Sequence, residues 1–305
     1  MMAIPLAGSL AGPLTACWRT AWNWLLVLAM ASLPGLATAQ SPASAPELAP
    51  YRFGVPPWQK DLSGDDIKGF YRPMLDELQA KLGRRILLVG ARDYAEITQL
   101  LAEGKIDLAS ISPVPYLLAR QRNPGITMIL TELSWNADHT SKHDYYEGHI
   151  VTLKSRTDIN KLEDLKGKKF AFVARESTSG FVVPKNMLAQ KGIAWESFFG
   201  QSFFLGSHPR VTDALVAGSV DAAATWDFNL NQAIAKHGDV FKVLADSGQI
   251  PNLGVAVHSS VSPADRRTIQ HVLTTIDAAK LKGLSAVGYV VRPVESYDRI
   301  GRLLN

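Results

Sequence analysis

The sequence predicts an α/β protein built from two related lobes, each a mainly parallel sheet flanked by helices, with a ligand cleft between them. Three observations carry this. Short β-rich runs alternate with helical segments, the pattern of parallel strands covered by helices. A set of residues recurs in the same order 114 positions further on. Finally, 305 residues, 47% hydrophobic and 20% charged, supply cores for about two domains and lie far from disordered or multi-span membrane compositions. A formal net charge of +4 without a long Lys/Arg run leaves no nucleic-acid footprint.

Residues 1–39 hold one base, Arg19, and no acid, followed by an apolar block around Trp24 to Leu33 and then Ala37-Thr38-Ala39. This is the layout of a cleaved secretory signal, and the block is too short to span a bilayer, so an exported protein is expected. Leu14-Thr15-Ala16-Cys17 has the outline of a lipid-attachment site, but it precedes the apolar block instead of following it, so no anchor at Cys17 is expected. Cys17 is the single cysteine, which excludes an intrachain disulfide and cysteine-based metal clusters. Residues 40–50, rich in Pro, Ala and Ser, read as a flexible leader. Lobe 1 is expected over 51–150, with strands at 52–55, 85–89 and 107–112 and helices at 70–82 and 94–103. Lobe 2 is expected over 151–255. A helix at 262–276 returns to pack on lobe 1, which 256–290 completes, and 291–305 form a tail.

The repeat is visible residue by residue. Gly69-Phe70-Tyr71-Arg72-Pro73 recurs as Gly180-Phe181-Val182-Val183-Pro184. Ile97-Thr98, Leu101, Gly104, Asp107 and Ala109 recur as Val211-Thr212, Leu215, Gly218, Asp221 and Ala223. Each G-F-x-x-P is expected to open a helix, with Pro in the first turn where its missing N–H costs little. Each Leu-x-x-Gly-x-x-Asp should end a helix at Gly and enter a buried strand.

Two such lobes leave a cleft suited to a small ligand. Ser177, Thr178 and Ser179 stand at a strand-to-helix turn, where free N–H groups and the helix dipole favour an anion and hydroxyls add neutral donors. His208 opens the next helix of lobe 2, and Tyr94 occupies the equivalent place in lobe 1, so both should face one cleft. Asp227, after the last strand of lobe 2, could take a ligand ammonium or hold His208; Trp58, after the first strand, could wall the cleft. Ser177, His208 and Asp227 can also be drawn as a hydrolase triad, but E-S-T-S-G is not the G-x-S-x-G elbow, and no P-loop or G-x-G-x-x-G is present, so no enzyme is expected. His139, His143 and His149 follow no metal-ligand spacing, and the stretch around them reads as a loop between the lobes. No metal or cofactor is expected.

These residues resemble the substrate-binding proteins of phosphate/phosphite/phosphonate ABC transporters, the phosphonate-binding branch of the type II periplasmic binding proteins. The marks are R-F-G-V at 52–55, D-Y-A at 93–95, S-P-x-x-Y beginning at Ser112, S-T-S-G-F-x-x-P at 177–184, G-S-H at 206–208, G-x-V-D-A at 218–222 and Ile250-Pro251-Asn252. The resemblance implies a two-lobed, non-catalytic, monomeric periplasmic protein that captures a phosphorus oxyanion for an ABC permease, or presents it to a membrane sensor kinase. It places Ser177, Thr178, Ser179 and His208 on the oxyanion, Tyr94 across from them, Ser112 at the cleft floor and Asp227 where relatives contact an amino group. The chain departs from the family with Leu253-Gly254 where an Asp is common, Ser112 where Gly precedes Pro, and Ile111 at an aromatic position. These changes argue against an aminophosphonate.

Overall fold

The computed structural model describes residues 48–56, 64–136 and 139–304. The expected signal with Cys17, most of the leader, and Trp58 lie outside the described residues. The chain runs β1 (Tyr51–Val55), α1 (Gly64–Leu82), β2 (Ile86–Gly90), α2 (Tyr94–Ala102), β3 (Leu108–Ile111), α3 (Pro113–Arg122), β4 (Thr127–Trp135) and β5 (Lys142–His143). It continues through β6 (Tyr145–Leu153), β7 (Lys169–Phe172), α4 (Val183–Gln190), α5 (Trp195–Phe198), β8 (Gln201–Phe204), α6 (His208–Val216), β9 (Ala222–Trp226), α7 (Asp227–His237) and β10 (Phe241–Pro251). It closes with β11 (Gly254–Val257), α8 (Pro263–Thr274), β12 (Gly288–Val290) and α9 (Asp298–Gly301).

Two sheets result, one in the order β12-β4-β11-β3-β1-β2 with β5 beside β4, the other β10-β6-β9-β7-β8. The pairs of β1 with β2 and β3, and of β7 with β8 and β9, are parallel. Those joining β4, β6, β10, β11 and β12 are antiparallel. Both sheets are therefore mixed, not mainly parallel as the alternation predicted. The strands that carry the chain between lobes enter each sheet from its opposite end. The change of sheet falls between β5 and β6, and again between β10 and β11, and the stretch expected as a loop around His143 and His149 contributes strands to both sheets.

Helices α1 and α8 bury Tyr71, Met74, Leu78, Ile269 and Leu273 against Phe53 and Val257 of the first sheet. In the second, Val211, Leu215 and Leu230 of α6 and α7 pack on Val151, Ala171 and Ala223. The repeat is structural as well as textual. Helices α2 and α6 are both nine residues long, beginning at Tyr94 and His208. Each is followed by a glycine in the left-handed region, Gly104 at φ 66° and Gly218 at φ 70°, where a side chain would be strained. Asp107 and Asp221 then accept the N–H groups of Arg52 and Lys169 at 2.9 and 2.8 Å, pinning each strand start in the same way.

Two elements depart from expectation. Pro184 stands in the first turn of α4, but α1 begins at Gly64, so Pro73 is interior. An interior proline costs about 3 kcal/mol, which burial of Tyr71, Met74, Leu75 and Leu78 beside it offsets. The tail is folded: a 3-10 turn at Val294–Tyr297 leads into α9, and Tyr297 is buried against Tyr116 with ring centroids 5.5 Å apart.

Candidate functional site

Tyr94, Ser112, Ser177, Thr178, Ser179 and His208 line one cavity between the lobes, together with Pro56, Tyr146, Trp226 and Leu253. It holds about 20 Å³ on the measure by which one buried water needs about 10–15 Å³. That is room for about one or two waters.

The hydroxyl-rich wall is built by a single π turn, Thr178–Val182, between β7 and α4. Ser177 caps it, its Oγ accepting the Gly180 N–H at 3.1 Å. Val173 N–H donates back to the Gly180 carbonyl at 3.1 Å, and a Cβ at position 180 would stand 2.4 Å from that of Val173, so the close approach requires glycine. The N–H groups of Thr178 and Ser179 precede any intrahelical acceptor. Thr178 Oγ1 also accepts the Val114 N–H at 2.9 Å, a buried bond from lobe 2 to the start of α3 in lobe 1. Pro113 and Pro115 beside Val114 have no N–H to offer.

Two phenols complete the polar wall. Tyr94 meets Ser177 across the lobes, and Tyr146 meets Ser179 and Thr178; burial pushes both phenols well above their usual range. The Ser112 Oγ and the Ser207 Oγ are buried with no protein partner. Buried hydroxyls are seldom left in that state unless something else engages them.

His208 opens α6 and is 4% exposed. Burial alone pushes its imidazole down to about 3, so it is neutral near pH 7. Its Nδ1 lies 3.3 Å from Thr225 Oγ1, and its ring is tilted against Trp226 at 6.0 Å.

Asp227 is placed differently from the sequence reading. As the first residue of α7 it turns its carboxylate to backbone, accepting from Phe228 N–H at 2.7 Å and Glu147 N–H at 3.2 Å. Burial raises its pKa. It lines a neighbouring cavity of about 700 Å³ with Trp135, His139, His143, Glu147 and His149. Its hydrogen bonds do not reach His208, so the triad of Ser177, His208 and Asp227 is not assembled. Sequence reasoning missed Pro56, Tyr146 and Trp226 as lining residues. Trp226 precedes the residue chosen, and Tyr146 sits on a lobe-crossing strand where the alternation of Tyr145, Tyr146 and Glu147 was the available signal. Leu253, noticed as a departure from the family, does line the cavity.

Among the described residues, no helix is long and apolar enough to cross a membrane. The chain is 25% identical over 211 residues to the phosphate-import protein PhnD of Mycolicibacterium smegmatis, covering 66% of this chain and 64% of that one. It is 29% identical over 210 residues to the phosphonates-binding periplasmic protein of Escherichia coli, covering 67% and 59% respectively. It thus spans about three fifths of the length of these relatives. Its fold matches a binding component of a phosphonate ABC transporter from Pseudomonas aeruginosa with a TM-score of 0.72 at 19% identity, over 84% of this chain and 85% of that one. PhnD1 of Prochlorococcus marinus in complex with methylphosphonate gives 0.70 at 18%, over 84% and 98%. The family model described as "ABC transporter, phosphonate, periplasmic substrate-binding protein" matches residues 53–295, nearly all of both sheets and the cavity between them. The chain belongs to this family of substrate-binding proteins, which bind rather than turn over their ligands.

Proposed function

We propose that the protein captures a small phosphorus oxyanion, a phosphonate, phosphite or phosphate, in the cavity between its lobes and delivers it to an ABC permease. One observation carries this reading: Ser177, Thr178, Ser179, Tyr94, Tyr146 and the neutral His208 converge on a single buried space. Hydrogen bonds to a charged group contribute about 1.5–3 kcal/mol net each. Four or five, less the ordering costs, reach the roughly 8 kcal/mol of a micromolar complex. Neutral donors suffice, and the apolar side made by Pro56, Trp226 and Leu253 suits a small apolar substituent. The relatives named for phosphate and phosphonates and the methylphosphonate complex point to the same chemistry. Residues 1–39 serve export, and the mature protein works as a monomer. Leu253 on the cavity wall, where the family commonly has an Asp, disfavours aminoethylphosphonate.

Calorimetry with phosphate, phosphite, methylphosphonate, aminoethylphosphonate and sulfate tests the reading. Thr178→Ala and His208→Ala are each expected to weaken the best oxyanion at least tenfold with unfolding still cooperative. Unchanged affinity in both would overturn the site.

A further inference from the structure

We infer that Asn229 and Thr225 form a hydrogen-bond relay that locks His208 in the Nε2–H tautomer, making it a fixed neutral donor to the bound oxyanion. The tautomer stands on the geometry below; the oxyanion role rests on the function proposed above.

Asn229, on α7 and 4% exposed, donates from Nδ2 to the His208 carbonyl at 3.2 Å and to Thr225 Oγ1 at 3.0 Å. A carbonyl can only accept, so it fixes the nitrogen end of the amide on this side. The Thr225 hydroxyl is fully buried and already accepts the amide proton, so its own proton goes to His208 Nδ1, 3.3 Å away. Nδ1 is then an acceptor, and the ring proton resides on Nε2.

The opposite tautomer would direct two donors, the amide and Nδ1–H, at one fully buried hydroxyl and leave that hydroxyl's proton without a protein acceptor. Thr212 closes the far side. Its hydroxyl donates to the Pro209 carbonyl at 3.0 Å. No carboxylate takes part, because Asp227 is held by the N–H groups of Phe228 and Glu147. A relay ending in an amide orients the imidazole without drawing a second proton onto it, as a carboxylate partner would.

Long-range ¹H–¹⁵N spectra of the imidazoles at pH 7.5, with the His208 signals identified by their loss in His208→Gln, read the tautomer directly. The wild-type spectrum needs no relay variant and should display a protonated Nε2 and an unprotonated Nδ1. Asn229→Asp, whose carboxylate would take the Thr225 proton and leave that hydroxyl to accept from Nδ1–H, should shift His208 toward the Nδ1–H form and weaken inorganic phosphite at least tenfold; Thr225→Val, which offers Nδ1 neither donor nor acceptor, should weaken phosphite without imposing Nδ1–H. Thr225→Ser should keep the tautomer and stay within threefold of wild-type affinity. A wild-type Nδ1–H tautomer, or the wild-type tautomer retained in Asn229→Asp, would overturn the relay. A changed tautomer with unchanged phosphite affinity would sustain the relay and instead remove His208 from the oxyanion site.

Discussion

Two buried titratable side chains pull the stability of this protein in opposite directions with pH. His208 has a folded pKa of about 3 against 6.5 for the free group. The unfolded chain takes up a proton that the native state refuses, so the stability His208 supports is complete above pH 6.5 and falls as the pH drops toward 3. Glu132 behaves in reverse. It is buried in lobe 1, accepts the hydroxyls of Ser110 and Ser285 at 3.1 and 3.0 Å, and is pushed up from 4.5 to about 7 by burial. Its native form holds a proton that the unfolded chain has released, so its support is complete below pH 4.5 and lost as the pH rises through 7. At about 1.4 kcal/mol per pKa unit, each effect is at most on the order of 3–5 kcal/mol. The two nearly cancel between pH 4.5 and 6.5. Urea denaturation should therefore give a flat wild-type profile in that window, a falling one in His208→Gln and a rising one in Glu132→Gln. Parallel profiles in all three would mean that these residues do not titrate as their burial dictates.

At the scale of elements, the C-terminal segment is structural. The Tyr297 hydroxyl bonds Thr131 Oγ1 at 2.9 Å and donates to the Asn252 carbonyl at 3.1 Å, while Asp298 pairs with Arg120 at 2.7 Å. Removing a buried aromatic side chain costs about 3–5 kcal/mol. Tyr297→Ala should lower unfolding stability by that amount and Tyr297→Phe by about 1–3 kcal/mol; equal, small losses in both would mean the segment frays. None of this was legible in the sequence, because 291–305 carries no periodic pattern and its partners lie far away along the chain. What was legible had a local cause. The starts of α2 and α6 follow from paired sequence signals, and a strand-to-helix turn at 177–180 follows from three hydroxyls and a glycine after a strand, though its π geometry does not. Pro73 misled because the same G-F-x-x-P opens one helix and interrupts the other, depending on residues upstream of it. Strand sense misled because it is decided by which strands cross between lobes. Asp227 and Trp226 differ by one position, and the change from β9 to α7 puts Trp226 rather than Asp227 on the cavity.

For the molecule as a whole, the chain passes between sheets twice, from β5 to β6 and from β10 to β11. Asn252 sits fully buried at the second passage, its Nδ2 bonded to Ser134 Oγ at 2.7 Å and its N–H to the Asp144 carbonyl. Thin connections of this kind permit hinge closure about a ligand. Saturating phosphite should shrink the radius of gyration in small-angle scattering for wild type, and less so for Thr178→Val, which lacks the acceptor for Val114. Identical curves with and without ligand at saturation would exclude closure as part of capture.

Under the proposed function, the bond from Val114 to Thr178 also bears on the order of events in capture. The donors are divided unequally, with the Ser177–Ser179 hydroxyls and His208 on lobe 2 against Tyr94 and Ser112 on lobe 1, while the first turn of α3 spends its N–H on Thr178 and has prolines on either side. Under the proposed function, an arriving ion is recognised by lobe 2 alone, and lobe 1 follows as a cover. Association should then be governed by the hydroxyl turn, and escape by how often one interlobe hydrogen bond breaks. Changes on the lobe 1 side of that bond, at Val114, would alter residence time while leaving the speed of first encounter almost untouched.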